Sequence, residues 1–379
     1  RALDLLREGC PVDDPEVVAG LVAAGIADAP GLPRRDVLGY ATAASLGIST
    51  VLLPGAIAAA SPANPSVSGS DGELQQFTVT SDSGTVSYLL YRLAHTALIA
   101  APIERTFVIG TVARSVQMLL VGAGGSGGVA DETFTGSQVL AGGGGGGEVV
   151  EVDLGTVPAG TELAVSVAGS PAATSGGATY VRIGGQQLVE AKGGGRGAGL
   201  DFGAAQGGSG GGGSSVNTTA GTTGAGSTAT VADVTPSITS SSLAGGGTGG
   251  GSSGGGGGGA GGAGVAGSSG DGGAGGGGTD ISAFFLDYVV SAGSDPGDFT
   301  AVIGGGGGGA GLGFGAGGSA SGGGGGGGYM DTPAFQGGDG SVGTGGGGGG
   351  GASGTDGFSM YGVPGQGGTG VAWVRIRTS

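Results

Sequence analysis

Residues 142–167 read GGGGGGEVVEVDLGTVPAGTELAVSV. Two different polymers meet at position 148. Before it, six consecutive Gly offer backbone donors and acceptors and no side chains. After it, Glu148-Val149-Val150-Glu151-Val152-Asp153-Leu154 alternates polar and apolar residues, the period of a strand with one buried face. Val157-Pro158-Ala159-Gly160 reads as a turn, and Leu163-Ala164-Val165-Ser166-Val167 as the returning strand. Any fold for this chain has to join a β-sheet to polyglycine.

The strand pattern extends outward in both directions. Upstream, residues 74–80, 85–93, 106–109 and 115–121 have it; downstream, residues 161–167, 179–183 and 187–192 do. It then stops, and reappears only at Val371-Ala372-Trp373-Val374-Arg375-Ile376-Arg377. Short strands at this spacing predict a mainly β protein built on a small β-sandwich. The sandwich is split: residues 73–192 and 371–379 form it, and residues 193–370 are inserted. Of the 106 Gly in the chain, 76 fall among these 178 residues, about 43% against roughly 7% in average usage. A doubly wound or barrel enzyme is excluded over that length. Collagen is excluded too, because the spacing lacks a strict three-residue period and Pro numbers only 14.

Uninterrupted runs occur at 142–147, 254–259, 304–309, 322–328 and 345–351. Polyglycine can take an extended threefold helix like polyproline II, rising ~3.1 Å per residue, without internal hydrogen bonds. Gly keeps its N–H and carries no side chain, so neighbouring helices can approach closely and bond laterally, satisfying backbone groups without an apolar core. Opposing this is the entropy of ordering Gly, on the order of 1–2 kcal/mol per residue, so that an isolated run stays a flexible coil. Two readings follow, a polyglycine II layer anchored on the sandwich or a largely disordered glycine-rich segment. The text between runs favours order: Asp280-Ile281-Ser282-Ala283-Phe284-Phe285-Leu286-Asp287-Tyr288-Val289-Val290 is too apolar and aromatic for a disordered linker. Residues 214–242, rich in Thr and Ser, read as a mobile loop, and Asn217-Thr218-Thr219 within it is a glycosylation sequon if the source is eukaryotic.

Ser115-Val116-Gln117-Met118-Leu119-Leu120-Val121-Gly122-Ala123-Gly124-Gly125 resembles the opening of the glycine-rich domain found in phage tail fibres and adhesins and in many bacterial surface proteins. The likeness continues through the 142–147 run, Pro158-Ala159-Gly160 and Gly176-Gly177-Ala178-Thr179-Tyr180-Val181. It closes at Gly367-Gly368-Thr369-Gly370-Val371-Ala372-Trp373-Val374 and so covers residues 106–377. The resemblance implies loops between polyglycine helices that contact a surface sugar or an outer-membrane receptor. Phe284, Phe285, Tyr288, Tyr329, Phe335, Phe358 and Tyr361 are the candidates for stacking on such a ligand, because aromatics give large contact area at low entropic cost. The alternative is that they cap the glycine layer or pack on the sandwich.

Upstream, residues 1–36 read as helical, with Asp14 as N-cap and Pro15 at the first helical position; a chain starting at Arg1 reads as a fragment or a processed product. Residues 37–62 are uncharged and apolar. Arg34-Arg35-Asp36-Val37-Leu38 before them resembles a twin-arginine export signal. The competing readings are packed Ala-rich helices, an anchor of an oligomer, or a membrane contact through residues 37–60.

Chemistry is sparse. Twelve Lys and Arg against 28 Asp and Glu leave a net charge of −16, and Arg196 is the only basic side chain between residues 193 and 370, which excludes nucleic acid as a partner. One Cys and one His preclude an internal disulfide and a multi-His metal site. At this Gly content a G-x-G-x-x-G match arises about fourteen times by chance, so nucleotide fingerprints carry no information. His95 stands in an apolar stretch and reads as a packed or surface His. The sequence therefore predicts a non-enzymatic protein without cofactor or metal, extracellular or on a bacterial cell surface, with a structural or adhesive role. The alternatives are a phage tail fibre or tip adhesin in the virion tail and a largely disordered surface protein. A cell-surface glycan or receptor and a second copy of the chain are the expected partners.

Overall fold

A computed structural model describes residues 66–68, 74–81, 87–130, 139–170, 172–285, 288–290, 302–311, 322–325, 327, 336–353 and 362–377. The chain divides into two units, Arg1–Pro62 and Ala63–Ser379. The first, with the helical segment, Arg34, Arg35 and the apolar stretch, lies outside the described residues.

The second unit is mainly β and entirely antiparallel in its sheets. One sheet contains β1 (Ser66–Ser68), β4 (Ile103–Val108), β7 (Glu162–Val167), β8 (Thr179–Ile183) and β9 (Gln186–Ala191), in the order β1-β4-β7-β8-β9. The other has seven strands in the order β10-β6-β5-β14-β3-β2-β12. These are β10 (Ser237–Ser242), β6 (Val149–Val157), β5 (Arg114–Val121), β14 (Val371–Arg377), β3 (Ser87–Ala94), β2 (Leu74–Ser81) and β12 (Tyr288–Val290). A short pair, β11 (Thr279–Asp280) and β13 (Val302–Ile303), stands apart. The split expected from the sequence is present: β14 fits between β5 and β3, Trp373 opposite Leu119 on one side and Arg92 on the other. Two strands of the seven-stranded sheet arise within the glycine-rich stretch itself. β10, from the segment read as a mobile loop, edges β6, and β12 edges β2.

Period-two alternation sorts the strands onto two faces. Tyr91, Leu93, Val116, Met118, Leu120, Val152, Val374 and Ile376 meet Phe107, Leu163, Val165, Val181 and Val189 of the other sheet in one buried cluster. The Tyr91 ring stands edge-on to Phe107 with centroids 5.2 Å apart, locking β3 to β4 across the sandwich. The opposite face of the seven-stranded sheet carries a second cluster. Leu90, Leu119, Val121, Val149 and Trp373 are covered there by Ile281, Phe284, Ile303 and Ala260.

Beyond the sheets the Gly runs form a hydrogen-bonded lattice. The run at 142–147 lies at its centre, every residue buried. Gly142, Gly143 and Gly144 donate to the carbonyls of Ala198, Gly255 and Gly348 at 2.9, 3.0 and 2.7 Å. The next three residues return to the same neighbours in the same order, donating to Gly195, Gly258 and Gly345 at 2.8 Å each. Their carbonyls accept from three further runs, through Gly128 and Gly125, Gly212 and Ser209, and Gly307. A bonding period of three residues, with donors in three directions and acceptors in three others, is that of a polyproline II-type helix surrounded by six neighbours. Side chains are excluded: a Cβ on Gly144 would fall on the carbonyl oxygen of Gly125, and one on Gly347 on that of Gly144. The lattice does not begin at residue 193. Gly122, Gly125 and Gly128 after β5, the 142–147 run, and Gly176 before β8 all belong to it.

Candidate functional site

The runs give the unit two poles. Those leaving β5 and β9 climb away from the sandwich, and those entering β6 and β14 return to it. Leu140, Ala310 and Ala352 form a small buried cluster at the remote pole. Val139 N–H donates to Ser353 Oγ (3.3 Å) and Leu140 N–H to Ser215 Oγ (3.0 Å), so hydroxyls tie down the chain where regular lattice bonding ends.

Three of the aromatic candidates, Phe284, Phe285 and Tyr288, are among the described residues. Phe284 is 3% exposed and sits at the sandwich end, in the cluster on the outer face of the seven-stranded sheet. Its ring meets Phe285 edge-on at 5.2 Å, and Phe285 meets Trp373 at 5.8 Å. Phe284 is therefore a packing residue, not a ligand-facing one, because the Leu90–Leu119–Trp373 face needs an apolar cover there. Phe285 is partly buried against the same cluster. Tyr288 stands in β12 opposite Ser81. Tyr329, Phe335, Phe358 and Tyr361 lie outside the described residues. What is described is where the flanking lattice ends. Ser353 and Gly362, on either side of residues 354–361, are at the remote pole, Ser353 bonded to Val139 and Gly362 bridged to Ala130. Gly337, following residues 328–335, donates to Val363 at the same pole (3.0 Å). Ala130 and Val139, flanking residues 131–138, are there as well.

Two polar devices organise the neighbouring surface, through contacts that the sequence does not indicate. Asn217 Nδ2 lies 2.8 Å from the carbonyls of both Gly199 and Leu200, and its own N–H donates to Ser214 Oγ (2.9 Å). The sequon asparagine is thus a clasp on a remote turn, and its amide is already engaged. Arg196 lays its guanidinium 3.6 Å over the Phe202 ring; burial pulls its pKa down. A spacing of six residues with no periodic pattern gave no signal for this pair, which requires the turn at 199–202 to double the chain back.

At the sandwich end, Arg375 Nη1 donates to the Phe284 carbonyl (2.9 Å), Nη2 donates to Gln117 Oε1, and Gln117 Nε2 donates to Asp153 Oδ2 (3.1 Å). The guanidinium stacks at 4.7 Å over Phe284. This ladder crosses β14, β5 and β6 and is positioned by their register. His95, directly after β3, is 4% exposed, and neither ring nitrogen has a hydrogen-bond partner. Among the described residues no group of three or more His, Cys, Asp or Glu is placed to hold a metal ion, and no helix is long and apolar enough to cross a membrane. Set against known proteins, the chain matches no family model and is significantly similar to no curated protein.

Proposed function

We propose that this protein is a non-enzymatic, glycine-rich structural and adhesive protein acting outside the cell, which recognises a glycan or receptor through the stretches whose flanking lattice ends meet at the remote pole. The observation that carries this reading is the common location of the lattice ends flanking residues 131–138, 328–335 and 354–361. A polyglycine lattice is a rigid platform with almost no side chains of its own, so recognition falls to what emerges from its end. The three stretches contain Phe134, Tyr329, Phe335, Phe358 and Tyr361 with four carboxylates and no Lys, Arg or His. Aromatic faces with hydrogen-bond acceptors suit sugar rings and their hydroxyls. The resemblance to phage tail-fibre domains supports a second reading in which the same pole is a tail-tip receptor binder; the two differ in location, not in the chemistry of the pole.

Retention of the purified chain on whole bacterial cells and on a glycan array tests the proposal. Binding is expected for the native chain and for a sandwich-end variant, V112K. It should be lost when residues 328–335 and 354–361 are replaced by Gly-Ser segments with the lattice kept intact by circular dichroism. Undiminished binding by the replaced chain, or none by the native one, would overturn it.

A further inference from the structure

Sheet and lattice share one register. Val121 of β5 faces Val371 of β14; past the sheet, Gly124 donates to Gly368 (2.8 Å), Gly127 to Gly365 (2.9 Å), and Ala130 bridges Gly362. On its other side Val121 faces Val149 of β6, and Gly122, Gly125 and Gly128 donate to Glu148, Gly145 and Gly142 at 3.0, 2.9 and 2.8 Å. The β8–β9 pair behaves alike: Thr179 faces Ala191, and Gly176 donates to Gly194 (2.8 Å). Pairing changes its period from two residues to three at the boundary without a slip. Side chains pin the crossing. Thr179 Oγ1 accepts from Ala168 N–H (3.2 Å) and donates to the Val121 carbonyl (2.7 Å), joining the two sheets there; Thr369 Oγ1 accepts from Gly343 N–H (2.9 Å), and Ser170 Oγ donates to Gly367.

We infer from this geometry that the molecule is a tensile strut, which carries a pull at the remote pole into the sandwich as shear along an unbroken register. Inter-strand hydrogen bonds lie across the strand axis. Tension along the axis therefore loads every bond between residues 116–130 and 362–376 together, whereas a sideways pull at one end opens them singly. In β14, between β3 and β5, the pull meets a second ladder before it reaches the core. The strut deepens the adhesive reading, since an adhesin must hold under load, but its test needs no receptor and so fails or succeeds separately.

The test is single-molecule pulling on the full chain in a C10S background with cysteine handles. Val112→Cys with Val363→Cys loads β5 against β14 axially, both positions being about half exposed, 52% and 51%. Val216→Cys with Val363→Cys, both at the remote pole, peels the last run sideways. The axial pair should rupture in one step at severalfold the force of the lateral pair. Thr179→Val, which keeps the shape and removes the crossing pin, should lower the axial force and leave the lateral force unchanged. Equal forces in the two directions, or axial rupture in which the lattice extends at low force before the sandwich, would overturn the strut.

Discussion

Glycine has two different meanings here, decided by what a methyl group would touch. At Gly144, in the central run, a Cβ would collide with the backbone of Gly125 and Ser126, which six-neighbour packing holds in place. Gly144→Ala should therefore destabilise the unit by about 1–3 kcal/mol, the usual cost of overpacking a rigid interior. At Gly251, in a turn with nothing within 4 Å of the added carbon, the same substitution should be neutral or stabilise by up to about 1 kcal/mol, by restricting the unfolded chain. Chemical denaturation midpoints of the two variants check the contrast. Tyr91 supplies a second residue-scale expectation, because burial pushes its hydroxyl up to about 12. Unfolded Tyr ionises near 10, so above that pH the unfolded chain loses a proton that the native chain keeps. Stability should fall by about 1.4 kcal/mol per pH unit between 10 and 12 from this group, with no contribution below 10. Tyr91→Phe should flatten that part of a stability-versus-pH curve, other titrations being unchanged.

A run has a phase as well as a length. Each successive Gly aims its N–H about a third of a turn further round, so one extra residue after Gly144 sends every later donor of the run toward the wrong neighbour and shifts β6 against β5. Three extra residues keep the phase and lengthen the run by ~9 Å. Of the two insertions, the single one should lower the unfolding midpoint far more; equal effects would show that the runs are not registered. Four of the five uninterrupted runs lie in the lattice interior: 142–147, 254–259, 304–309 and 345–351 are buried throughout, whereas 322–324 and 327 are only partly buried. Dilution with Ala, Val, Ser or Thr does not decide position: 122–128 and 207–214 are buried as well, whereas 263–268 lies at the periphery, where Val265 is 54% exposed. Strand existence was equally legible, since residues 179–183 and 371–377 occur as read from period-two alternation. Strand ends were less so. β4 starts at Ile103 and β6 runs on to Val157, because tertiary pairing with β7 and β5 extends them past the alternating core. The site resisted reading for a different reason. Phe284 and Phe285 stayed open between ligand contact and packing on the sandwich because nothing local indicates that the outer face of β3, β5 and β14 is apolar at Leu90, Leu119 and Trp373. Only the strand order, set by residues far apart in the chain, creates that face. Trp373→Ala, which empties it, should cost about 3–5 kcal/mol and loosen the 281–285 segment, as followed by amide exchange at Phe284 and Phe285, whose N–H groups close the short 3₁₀ turn.

Two parts of one unit are stabilised by different physics, and a calorimeter can tell them apart. The sandwich buries Leu, Val, Phe and Trp side chains; the lattice buries peptide groups, with small clusters such as Leu140, Ala310 and Ala352 as its apolar content. Unfolding exposes apolar surface with a positive heat-capacity change of about 0.45 cal/mol/K per Å², and polar surface with a negative one of about 0.26. The sandwich should contribute the usual amount, and the lattice should offset part of it. Heat-capacity change per residue for the whole chain should then fall clearly below the ~12–15 cal/mol/K of ordinary domains. A glycine region that contributed no structure would also dilute the value, so the measurement is paired with amide exchange. The donors Gly143, Gly146, Gly257 and Gly350, all inside the lattice, should exchange with the slow class of β5 and β14, since continuous register makes their opening part of the same event. Low heat capacity with protected glycines identifies peptide burial as the source of order; low heat capacity with freely exchanging glycines would remove the lattice altogether. An ordinary heat-capacity change would mean that apolar burial, not backbone bonding, holds these runs in place.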